Sequence, residues 1–147
     1  MNIVDARTST RLRQWAAGRP PAQAAVELVL RAFRGRFADP GLPWVRVDGD
    51  VTWLDPDTLR DHAAVLSGGE RRLLFVVASL LDERPLDIVD VATGLDRENL
   101  QLVLAALAHA GGSHSSTVLE HVDGAVRFSS PGPLVPWPDS EGPGRSS

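Results

Sequence analysis

The chain has 147 residues, 43% hydrophobic and 23% charged, with no cysteine and a formal net charge of −4. This composition fits one globular domain that buries roughly two-thirds of the surface its unfolded chain exposes, and it excludes disulfides, thiol catalysis and Cys-ligated zinc. The longest apolar run, 73–81, is far short of the roughly 18 residues a membrane span needs, and no basic stretch leads into an apolar core at the N-terminus, so the expectation is a cytoplasmic protein without membrane contact.

All 15 basic residues are Arg and Tyr is absent, which together with abundant Ala, Gly, Pro and Val reads as the coding bias of a GC-rich bacterial or phage genome. Charge is polarised: residues 1–38 carry +5 and residues 39–147 carry −9. A basic N-terminal region can steer nucleic acid or an acidic partner, or dock on the acidic remainder of its own chain. Docking is the stronger reading, because the arginines are not interleaved with stacking aromatics.

In chain order, Thr8-Ser9-Thr10 offers caps for a short helix that Gly18 ends, and Pro20-Pro21 opens the next. Val26, Val29, Leu30, Phe33 and Phe37 recur at helical spacing and predict an amphipathic helix over 21–37, with Glu27 one turn before Arg31 on its other face. Asp48-Gly49 and Asp123-Gly124 predict two hairpins, the first with Trp44 facing Trp53, the second with Glu120 facing Arg127 and Leu119, His121, Val126 and Phe128 on the opposite face. Because a lone hairpin is marginal in water, the two are expected to join into one sheet. Between them, Asp55-Pro56 starts a helix with Leu59, Ala63 and Leu66 inward. Ser67 and Glu70 form a capping box for the apolar helix up to Arg84, and Asp96 caps 97–110 with Leu100, Val103, Leu104 and Leu107 as the buried stripe. The segment 86–92 fits a short helix or a strand. These elements predict a mainly α-helical α+β domain, four to five helices around a central buried helix at 68–84 with two short hairpins, spanning 1–128. Residues 129–147, rich in Pro, Gly and Ser, read as a disordered tail with Trp137 as its one anchor.

The run Leu66-Ser67-Gly68-Gly69-Glu70 resembles the signature sequence of ABC-type ATPases. Asp90 then stands near the Walker B spacing, Gly94-Leu95-Asp96 is similar to the D-loop, and His121 falls near the place of the switch histidine. The chain has no phosphate-binding G-x-x-x-x-G-K-[ST] loop and no Lys at all, and Val91 stands where the family carries its catalytic carboxylate. ATP hydrolysis is therefore not expected. The stretch from Ser67 to about Ala110, with SGGER, an apolar helix and Leu95-Asp96-Arg97-Glu98-Asn99, also resembles small proteins of high-GC bacteria and their phages; this likeness implies no activity.

The free N–H groups at the start of a helix can hold a phosphate, which makes Ser67, Gly68, Gly69, Arg71 and Arg72 a candidate anion site. A plain capping box with small residues for close packing accounts for the same letters and is favoured. A helix-turn-helix reading of this region fails on burial, since seven large apolar side chains in 73–81 leave few groups to read a base edge. His62, His109, His114 and His121 lack ligand spacing, and no nucleophile elbow is present, so no metal, cofactor or catalytic residue is expected. The remaining expectation is a small non-enzymatic interaction or accessory protein that works through a protein partner or self-association. Its candidate contacts are Arg11, Arg13, Arg31, Arg34 and Trp137. The alternatives are a phosphate- or nucleotide-responsive module at 67–72 and nucleic-acid binding through the basic 7–36 region.

Overall fold

A computed structural model describes residues 4–115 and 117–138. Asp5, not Thr8–Thr10, caps α1 (Ala6–Ala16), accepting the Thr8 N–H at 2.7 Å. Two prolines open α2 (Pro20–Arg31), which stops six residues before the apolar spacing runs out. Phe33, Arg34 and Gly35 all take positive φ inside the 3-10 segment Ala32–Ala38. This left-handed turn costs energy at the two non-glycine residues, and it swings Phe37 back to pack against Trp44, whose indole N–H donates to the Phe37 carbonyl at 2.9 Å.

The hairpin of β1 (Val45–Asp48) and β2 (Val51–Leu54) turns at Gly49-Asp50, one residue later than Asp48-Gly49 implied. That slip sets Trp53 opposite Arg46, while the Trp44 carbonyl accepts from Asp55 N–H, so the two tryptophans do not face each other. Asp55 caps α3 (Pro56–Ala63), and Ser67 stands at the N-cap of α4 (Gly68–Asp82). The ambiguous stretch resolves as a helix, α5 (Ile88–Gly94), which raises the α-helix count to six among the described residues. Asp96 caps α6 (Arg97–Ala110) by accepting the Asn99 N–H at 2.8 Å. A second hairpin, β3 (Val118–Val122) and β4 (Ala125–Ser129), has the expected register, with Glu120 opposite Arg127. The two hairpins form separate two-stranded sheets and do not join.

The architecture is mainly α with two small antiparallel sheets. Leu73, Leu74, Val76, Val77 and Ala78 bury α4 against α2 and α3, with α5 and α6 alongside. Arg60 of α3 locks on to Asp82 at the end of α4, and Arg84 reaches back to Asp57 at 2.9 Å. α6 packs mostly on α2, and it does so through Leu102, Val103, Ala105 and Ala106. Small alanines let two helix backbones approach closely, and this rotates α6 so that Leu104 and Leu107, expected inside, are 48% and 46% exposed. Among the described residues no helix is long and apolar enough to cross a membrane. Residues 139–147 of the expected tail lie outside the described residues.

Candidate functional site

At the α4 N-terminus the Ser67 hydroxyl caps no backbone N–H; it donates instead to the Glu70 carboxylate at 2.9 Å, and Glu70 is paired with Arg36. The positive end of the helix thus already carries a carboxylate in its first turn. Arg72 does not point toward a ligand either. Its guanidinium forms a two-pronged pair with Asp90 of α5, at 3.1 and 3.2 Å, and its stem crosses Gly94 while a terminal nitrogen lies 2.7 Å from where a Cβ on Gly68 would sit. Gly68 and Gly94, two of the three glycines in the likeness to ABC-type ATPases, are thereby explained as room for one arginine, and Asp90 as its counter-ion. Gly69 meets nothing nearby, and Arg71 has no ion pair among the described residues. His121 lies on the exposed hairpin and not beside Ser67's helix in any packed sense.

The basic N-terminal surface is largely consumed within the chain. Arg11 reaches Asp50 at the tip of the first hairpin, at 3.2 Å. Arg13 grips Glu27 with two nitrogens, at 2.7 and 3.1 Å, and Arg31 binds the same carboxylate from one turn on, at 3.0 Å. Burial alone pushes the Glu27 carboxyl up, but the hydrogen bonds and charges of Arg13 and Arg31 overcome it and hold the group below the usual carboxylate range. Arg34 alone of the four candidate arginines is exposed with no ion pair among the described residues.

Trp137, read both as the anchor of the tail and as a candidate partner contact, is only 4% exposed and packs in the core, which fits an anchor and removes it from the free surface. Its indole N–H donates to His109 Nδ1 at 3.2 Å, and the Arg31 guanidinium lies 4.9 Å from its ring centre. His109 is therefore not a surface histidine: its ring stacks on His114 with centroids 4.5 Å apart, and it lines a cavity of about 200 Å³ with Arg13, Gln23 and Glu27. Sequence reading missed this cluster, because its members stand 5 and 28 residues from His109. The only local hint was an aromatic in a Pro-rich segment.

Among the described residues, apolar side chains are exposed on the β3–β4 hairpin and on α6, besides Ile88 and Val89 on α5. On β3–β4, Leu119, Val126 and Phe128 share one face, with Phe128 77% exposed, and every described residue from Thr117 to Phe128 is exposed. On α6, Leu104 and Leu107 lie one turn apart. Among the described residues no group of three or more His, Asp or Glu side chains is placed to hold a metal ion. In comparisons with known proteins, no family model, no curated protein and no solved structure matches the chain.

Proposed function

We propose that this is a small non-enzymatic interaction or accessory protein that binds a protein partner or a second copy of itself through the β3–β4 hairpin. The observation that carries the reading is the hairpin's apolar face, Leu119, Val126 and Phe128, exposed on an element that has no extensive packing against another element among the described residues. An isolated two-stranded hairpin is marginally stable in water, and contiguous exposed apolar surface of this kind marks interaction sites. Leu104 and Leu107 on α6 extend the uncovered apolar area.

Two other readings are weaker. A phosphate-responsive module at Ser67–Arg72 has to displace Glu70 and to free Arg72 from Asp90. Nucleic-acid binding through 7–36 has to work with Arg11 already paired with Asp50, and Arg13 and Arg31 sharing Glu27. The test compares wild type with Phe128→Ser, a surface change worth at most about 0.5 kcal/mol of stability. Sedimentation over a range of concentrations and crosslinking in a host extract should show an assembly with the wild type that the variant loses, at unchanged melting temperature. Identical behaviour of the two proteins in both measurements overturns the proposal.

A further inference from the structure

The segment from Pro131 to Pro138 crosses back over the helical core and is fastened at two points. Leu134 N–H donates to Ser113 Oγ at 3.3 Å, and Trp137 sits on the His109–His114 stack under Arg31, with Val135 packed between. Ser113 Oγ in turn donates to the Ala108 carbonyl at 2.8 Å and lies 3.4 Å from His114 Nδ1, so the first fastening does not involve His109. The second does. An indole N–H only donates, so His109 Nδ1 must carry a lone pair, and the ring must be neutral with its proton on Nε2.

We infer that the His109–His114 pair is an acid-sensitive latch: protonation of His109 detaches Trp137 and frees the end of the Pro131–Pro138 strap beyond the Leu134 fastening from the α2–α6 face. Protonated His109 has an N–H at both ring positions and sets one donor against the indole donor. It also places a cation 4.5 Å from the His114 ring and beside Arg31, which already faces the indole. The charged and titratable groups around it are His114 from the loop after α6, Glu27 and Arg31 from α2, and Arg13 from α1 across the cavity. Among the described residues Glu27 is the one anion of the group, and Arg13 and Arg31 have claimed both of its oxygens. Its attraction for an imidazolium is correspondingly reduced. Burial, then His114 and Arg31, holds His109 below the usual histidine range; burial and Arg31 do the same to His114. The latch is therefore closed at neutral pH and opens on the acid side of about 6.5. The His114 Nε2 atom, buried with no hydrogen-bond partner among the described residues, favours the same opening, since water satisfies it once the strap is off.

The experiment follows the indole N–H resonances of the full chain by NMR from pH 7.5 to 5, with Trp137→Phe assigning the Trp137 peak. Trp44, whose indole N–H is held by the Phe37 carbonyl in the core, is the internal control. The expected result is that the Trp137 signal moves to its solvent-exposed position below about pH 6.5 while Trp44 stays protected. In His109→Gln the side-chain oxygen accepts from the indole without titrating, and the Trp137 signal should stay at its bound position down to pH 5. His114→Gln removes one repelling charge, and the midpoint should rise. A Trp137 signal that does not move, one that moves together with Trp44, or a His109→Gln variant that titrates like wild type overturns the latch.

Discussion

Gly94 and Gly68 are glycine because Arg72 occupies the space beside them. A Cβ on Gly94 would collide with Arg72 at Nε and Cδ, in the middle of a side chain whose far end is tied to Asp90. Gly94 also closes α5, where alanine would favour the helix by up to about 1 kcal/mol. The two effects oppose each other, and the collision is the larger while Arg72 is held in place. Gly94→Ala should therefore destabilise the protein by about 1 kcal/mol, on the scale of a modest overpacking. In an Arg72→Ala background the same change should be neutral or stabilising. A double-mutant cycle read by urea denaturation gives this coupling directly. Additive effects of the two substitutions would mean that Arg72 does not set the glycine requirement.

At the scale of elements, three helix starts were legible because each is written locally: Pro20-Pro21, Asp55-Pro56 and Asp96 sit where the structure begins α2, α3 and α6, whereas α1 starts from Asp5, ahead of Thr8–Thr10. Helix ends and helix faces were less so. Phe33 and Phe37 continue the apolar spacing of α2, yet Phe33, Arg34 and Gly35 turn left-handed and end it, a choice made by the packing of Phe37 on Trp44. The leucines of α6 look like a core stripe by size, but contact with α2 selects the alanines. The candidate site was hidden for a similar reason, because Arg11, Arg13 and Trp137 find partners 39, 14 and 28 residues away. The second hairpin was read correctly in register but not in placement, since register follows from the Asp123-Gly124 turn and burial does not. Its isolation makes a prediction. Replacing 117–129 with a short Gly-Ser linker should leave the melting temperature within about 3 °C, because Thr117–Phe128 are exposed and the hairpin makes no extensive contact with another element among the described residues. Circular dichroism melts check it, and a large drop would show that the hairpin supports the core.

The whole molecule is balanced for neutral pH by groups that share one direction of shift. Glu27, Asp55 and Asp82 are all held below the ordinary carboxylate range: Asp55 by hydrogen bonds from Thr58 and by Arg46, Glu27 and Asp82 by arginine and N–H partners that outweigh their burial. His109 and His114 are held below the histidine range by burial and neighbouring cations. For every one of these groups the unfolded chain binds protons at a higher pH than the folded chain does. Stability therefore falls as pH falls, in two windows. The first begins near pH 6.5, where the unfolded histidines charge, and runs down through their folded values; the second begins near 4.5, where the unfolded carboxyls protonate. Above pH 7 all five groups are already in the form the folded state favours, and they add no slope. Thermal melts at fixed ionic strength should thus be flat from pH 7 to 8, lower at pH 5, and steepest in decline below about 4.5. The double variant His109→Gln/His114→Gln should flatten the upper window and leave the lower one intact, because Glu27 keeps Arg13 and Arg31, and Asp82 keeps Arg60. A melting temperature that rises between pH 7 and 5 would contradict the histidine assignment. An unchanged upper window in the double variant would place the acid sensitivity elsewhere in the chain.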